Sequence, residues 1–172
     1  MLQLSGYLYN WPVLSLRSGD KVATAIAPII NPKYLKIEGF YCEDSISRKQ
    51  LILLTQDIRE FSERGFIVDD HDVLAEEEDL VRLRDVLELQ FELLKKPVET
   101  SSHDKLGKVG EYAVETSTMY VQKLYVSQPL WKNLAGGTLS VDRTQIVEVT
   151  SRRVIINDLL EPTIDQAPAM AA

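Results

Sequence analysis

The sequence predicts an all-β protein in the main, built as two tandem small β-barrels joined by a short α-helix. Three observations predict it. An internal repeat covers most of the chain, the head of the second copy alternates apolar and polar residues, and short β-branched and aromatic runs recur at close spacing.

The repeat aligns Leu2-Gln3-Leu4 with Leu87-Glu88-Leu89 and Leu8 with Leu93. Pro12-Val13 meets Pro97-Val98, and one residue is lost in the following turn. Ser18, Asp20 and Lys21 then meet Ser102, Asp104 and Lys105, and Phe40-Tyr41 meets Leu124-Tyr125. The second copy carries an insertion around Trp131 to Gly137 before the match resumes. There Leu51 meets Leu139, Ile58 meets Ile146, and Phe66 to Asp70 meets Val154 to Asp158. The shifts fall at turn-like positions, where loops tolerate a change of length.

Taken in order, residues 1–75 form the first barrel-like unit. Its close follows the pattern of a turn, Glu63-Arg64-Gly65, before a last short strand, Phe66-Ile67-Val68. Residues 76–86 form the linker. Glu76-Glu77-Glu78-Asp79 is an acidic start that suits a helix N-terminus, and Leu80, Leu83 and Leu87 recur at helical spacing, predicting a helix from about Glu76 to Asp85. Residues 87–161 form the second unit. Leu87 to Leu93 alternates strictly and is predicted as a strand with one face on the core. Met119 to Val126 and Thr144 to Val149 supply further strands, Gly136-Gly137 is expected at a hairpin turn, and Val154-Ile155-Ile156 closes the unit. Short strands with little room for helix suggest a barrel or curled sheet, whose closure removes exposed edges. Residues 162–172 hold two prolines and a run of small residues and are expected to be a disordered tail.

Composition sets the class. Of 172 residues, 45% are hydrophobic and 26% charged, as in a globular domain. The net charge of -7 argues against direct binding to nucleic acid or to an anionic membrane. Cys42 is the single cysteine, so neither an intrachain disulfide nor a cysteine-based zinc site is available. The N-terminus lacks a basic stretch followed by an apolar one, and no apolar run approaches a span, so a cytoplasmic location is expected, with membrane contact at most peripheral.

With these elements placed, each unit resembles the PRC-barrel family, the small barrel of the photosynthetic reaction centre H subunit and of the ribosome maturation factor RimM. In the second unit, Leu93-Leu94-Lys95-Lys96-Pro97-Val98 leads into Asp104-Lys105-Leu106-Gly107-Lys108-Val109, read as a turn with the family's leucine-glycine-basic-valine core. Tyr120 to Val126 looks like the next strand, and Gln145 to Glu148 with Val154 to Asp158 like the closing pair. The first unit has Val22-Ala23-Thr24-Ala25 in place of the glycine motif and joins the family through the repeat. The resemblance implies a module that holds other proteins, with no cofactor and no catalytic residue carried over. A ribosome- or RNA-processing-associated role follows from the RimM barrel as the alternative.

Asp69-Asp70-His71-Asp72 could offer metal ligands, but it aligns with Asn157-Asp158 and adjacent strand residues face opposite ways, so it reads as the polar exit from a strand and no metal site is expected. His103-Asp104 aligns with Gly19-Asp20, which marks a turn. Two histidines, one cysteine and no serine elbow leave nucleophilic catalysis little to use, so no catalytic residue is expected. An enzyme working through acidic residues alone is the reading from another class.

Contact surface is the more productive question. If Leu2, Leu4 and Leu8 face the core, Tyr7, Tyr9 and Trp11 lie opposite, and they align with Glu92, Leu94 and Lys96 of the second copy. Aromatics in one copy only point to a protein contact, either internal packing or a partner whose identity the sequence does not name. Leu130, Trp131 and Leu134 of the insertion form a second candidate contact. The oligomeric state is not set by these features.

Overall fold

The structure, a computed structural model, describes residues 1–130 and 137–158. A short strand, β1 (Leu2–Leu4), is followed by β2 (Trp11–Ser15), β3 (Lys21–Asn31), β4 (Lys36–Asp44), β5 (Gln50–Leu54), β6 (Ile58–Ser62) and β7 (Gly65–Val68). The helix α1 (Arg84–Leu89) precedes β8 (Pro97–Thr100), β9 (Lys105–Glu115), β10 (Val121–Ser127), β11 (Thr138–Asp142), β12 (Ile146–Val149) and β13 (Val154–Ile156). The strands form two curled sheets. One runs β5-β4-β3-β2-β7-β6, the other β11-β10-β9-β8-β13-β12, so the two copies of the repeat share one topology. In each, a parallel pair (β2 with β7, β8 with β13) brings the closing strand back beside the opening one.

The correspondence reaches individual backbone angles. Aligned residues Gly19 and His103 both take positive φ, at 76° and 69°, as do Asn10 and Lys95, and Leu35 and Met119. The turn therefore constrains the backbone more strongly than the side chain does, because a non-glycine residue is tolerated there at a cost of about 1 kcal/mol. Leu8 and Leu93, also aligned, are both fully buried. Lys105 to Val109, expected as a turn, is instead the start of β9; the turn lies just before it, at Ser101 to Asp104. Gly107 sits in that strand with φ 142°, where an added Cβ would stand 2.0 Å from the Ser127 carbonyl oxygen.

The leading segments of the two copies depart from the predicted pattern. Leu2 and Leu4 do not face the core; they are 50% and 39% exposed, because β1 leaves its own unit and pairs antiparallel with β9 of the other. A 3-10 turn at Ser5–Leu8 then breaks the alternation and turns Leu8 inward. Leu87 to Leu93 is not a strand either. The predicted helix over 76–85 begins as 3-10 turns at Glu77–Asp79 and Val81–Leu83, and the α-helical turns run over Arg84–Leu89, ending at Gln90 in the left-handed region. Here the helical spacing of Leu80, Leu83 and Leu87 prevails over the period of two, since Leu87 finds an apolar seat on Ile29 and Ile52 of the first sheet. Each copy thus sends its leading segment across to the other.

Two apolar clusters result. The larger is continuous through both units, from Val13, Phe40 and Phe66 to Tyr112, Leu124 and Ile156. The smaller lies under the linker, where Leu80, Leu83 and Val86 pack on Ile29, Ile52 and Leu87. The last residue of the first unit covers the outer edge of β5 just before the linker, since Ile52 and Ala75 exchange backbone hydrogen bonds of 2.8 and 2.9 Å. Cover on both sides explains the unbroken apolar run Leu51-Ile52-Leu53-Leu54, whereas the aligned β11 alternates Thr138-Leu139-Ser140-Val141-Asp142. Pro28 lies beyond the end of β2, where β3 needs no backbone donor on that side.

Candidate protein-contact surface

The segment from Tyr7 to Trp11 carries the candidate aromatics, and the structure divides them. Tyr9 points inward: it packs on the main core, and its hydroxyl lies 3.3 Å from that of Tyr112, a fully buried residue of the second unit. Burial pushes the Tyr112 phenol well above its ordinary pKa and raises that of Tyr9, so both hydroxyls stay protonated and either can donate to the other. Tyr7 is 49% exposed and meets Trp11 edge-to-face at 5.3 Å. Trp11 is half-buried, and its strand partner is Ala25. Next to Ala25 a bulge in β3 turns out Ile26, whose carbonyl accepts from Asn10 N–H. Tyr7 and Trp11 therefore form a partly exposed aromatic pair, and the 40% exposed Ile26 follows Trp11's strand partner on β3. Leu130 is 75% exposed at the end of the β10 side of the insertion. Trp131, Leu134 and Gly136, like the tail from 159 on, lie outside the described residues.

The polar clusters resolve into separate contacts. Asp69 receives Arg59, whose Nε lies 2.8 Å from Oδ1. Asp70 accepts from Ser15 Oγ, Arg17 Nη1 and the backbone N–H of His71, and these donors hold its carboxyl below the usual range. His71 Nε2 turns away to Asp44 Oδ1 at 2.7 Å. Among the described residues, no three histidine, cysteine or acidic side chains converge on one point. His103 is an exposed turn residue, its Nδ1 4.0 Å from Glu99. Cys42 is fully buried in β4, and burial pushes its thiol up to about 12, which keeps it from acting as a thiolate nucleophile.

A groove of about 1060 Å³ runs between β6, the linker and the turn joining β9 to β10. Its walls mix apolar residues such as Ile58, Phe61 and Leu80 with both signs of charge. The acid Glu38 is met there by Lys36 at 3.9 Å and by the Asn31 amide at 3.4 Å.

A further difference between the copies was not singled out from sequence. At the end of the second sheet stand Lys95, Lys96 and Lys108, where the first copy has Asn10, Trp11 and Thr24; the neighbouring arginine, Arg152, is matched by Arg64. The signal was available in the alignment, but only the sheet register shows that these positions are neighbours. Lys108 is the strand partner of Pro97, Lys95 N–H donates to the Val109 carbonyl, and Lys96 Nζ donates to the Ser151 carbonyl beside Arg152.

No protein-family model matches the chain, and no curated protein is a significant match. No helix among the described residues is long and apolar enough to cross a membrane.

Proposed function

We propose that the protein is a non-catalytic adaptor of two PRC-barrel-like units, which holds a protein partner on the leading segment of the first. The observation that carries this reading is the edge-to-face Tyr7–Trp11 pair, left partly open. Aromatic side chains bury large area at low entropic cost and recur at interface hot spots. Their counterparts in the second copy, Glu92 and Lys96, are charged, so the fold itself does not require the aromatics.

The test is affinity capture of the intact protein with quantitative mass spectrometry, alongside a variant carrying Tyr7→Lys and Ile26→Lys. Both residues are exposed, so the fold is expected to survive. Partners held by this surface drop out of the variant's list. Retention of every partner at unchanged abundance defeats the reading.

A further inference from the structure

We infer that the open edge of β6 takes an added strand: a short, uncharged, extended segment of a partner protein, laid in the groove beside it. The inference goes beyond the adaptor reading, and its residues are not those of the Tyr7–Trp11 pair.

Strand pairing leaves this edge open. β6 is the last strand of the first sheet, and among the described residues it pairs with β7 alone. Glu63 and Arg64 form a two-residue turn, so the flanking Ser62 and Gly65 are the pair that exchanges backbone hydrogen bonds. The next pair, Phe61 and Phe66, is then a non-bonded one, and the N–H and C=O of Phe61 point away from β7. Among the described residues no other backbone group meets them. Such an edge is a template for a further strand. The far end of the same sheet already shows the pairing, where Ala75 exchanges two backbone bonds with Ile52 on the outer edge of β5.

The groove follows this edge. It is lined by Ile58, Arg59, Glu60 and Phe61, four residues in succession, and by no residue of β7. Successive side chains of a strand point to opposite faces, so a hollow on one face would meet alternate residues and the neighbouring strand as well. A hollow along the edge meets both faces, as here. The opposite wall is the linker, from Asp79 to Leu83. The groove of about 1060 Å³ has the size of a ligand cleft, and the five residues of β6 offer about 17 Å of edge, enough for an extended segment of about five residues.

Charge sets the chemistry of the occupant. In the groove Lys36, Arg59 and Arg82 are matched by Glu38, Glu60 and Asp79, and the Met1 ammonium is taken by Glu115, so the walls carry no net charge. A charged segment would lose hydration without a compensating field. An uncharged one bonds through its backbone to Phe61 and rests its side chains on apolar groups of the walls, such as Ile58, Leu80 and Leu83.

The experiment is NMR-detected amide exchange on the full chain, with an end-blocked hexapeptide of alternating threonine and valine as the probe. A second probe of the same sequence is N-methylated at every residue, which removes the donors that pairing needs. The Phe61 amide is expected to exchange freely in the chain alone and about tenfold or more slowly at saturating peptide, with no slowing by the methylated probe. Val81→Glu, an exposed change on the linker wall, is expected to weaken binding about fivefold or more, and Ile46→Glu, also exposed but outside the groove, to leave it unchanged. Absence of peptide binding, equal slowing by both probes, or equal weakening by both variants overturns the inference. So does a Phe61 amide already protected in a dimer of the chain, since a second copy is then the occupant.

Discussion

Lys36 and Tyr120 stand at the same place in the two copies of the repeat and pair with each other across an antiparallel bridge. The flanking bonds are related in the same way: Ile37 N–H donates to the Met119 carbonyl, and Val121 N–H to the Leu35 carbonyl, both at 2.8 Å. A contact between equivalent residues is the mark of a two-fold interface, here formed within one chain. The symmetry is broken by Arg143, which stacks on Tyr120 at 4.7 Å and donates to the carbonyls of Tyr34, Leu35 and Val121; its counterpart is Thr55.

Arg143 is therefore expected to hold the two copies together. Arg143→Ala removes a charged donor to three carbonyls and should lower stability by about 1.5–3 kcal/mol in urea denaturation. Arg143→Lys keeps the charge but loses the planar fork, and should recover less than half of that. Full recovery by lysine would show that charge alone matters at this seam.

Gly107→Ala is expected to be costly. The residue has φ 142° and its added Cβ would meet the Ser127 carbonyl oxygen at 2.0 Å, so β9 and β10 must separate locally. A loss of about 2 kcal/mol or more in urea midpoint analysis is expected, against about 1 kcal/mol for Gly19→Ala, where φ is 76° but the space is open.

Residues 86–161 expressed alone should fold poorly. They lose β1 from the edge of β9, the Tyr9 hydroxyl from Tyr112, and the part of the core that runs into the first unit. The expected outcome is a melting transition at least about 10 °C below that of the whole chain, or none. A sharp transition as high as the full chain's would show the second unit to be independent.

Stability should fall in acid through Asp44. This buried carboxylate accepts from the hydroxyl and backbone N–H of Ser47 and meets His71, which hold its pKa far below the usual carboxylate range. A folded pKa below the unfolded value, about 3.9, contributes stability above that pH and loses it as pH falls toward the folded value. Asp70 and Glu99, also lowered, act in the same sense. In Asp44→Asn the loss of stability below about pH 4 should be shallower than in the native chain, measured by denaturation at a series of pH values. An unchanged slope would assign the acid sensitivity to the other carboxylates.

Much of this architecture was legible in the residues. The tandem repeat, the closing strands at Phe66 and Val154 and the turn character of His103 follow from local patterning, which registers burial on one face and backbone constraint at turns. Leu2, Leu4 and Leu87 to Leu93 depart from their sequence pattern for one reason. An apolar period states that a face is covered without stating by what, and it cannot show that a segment crosses to the other copy. The contact surface divides along the same line. The sequence by itself marked Tyr7, Tyr9 and Trp11 as the place where the copies differ. Only the tertiary structure decided that Tyr9 turns in to Tyr112 while Tyr7 stays open, because that outcome depends on which residue of the second sheet the crossing segment meets.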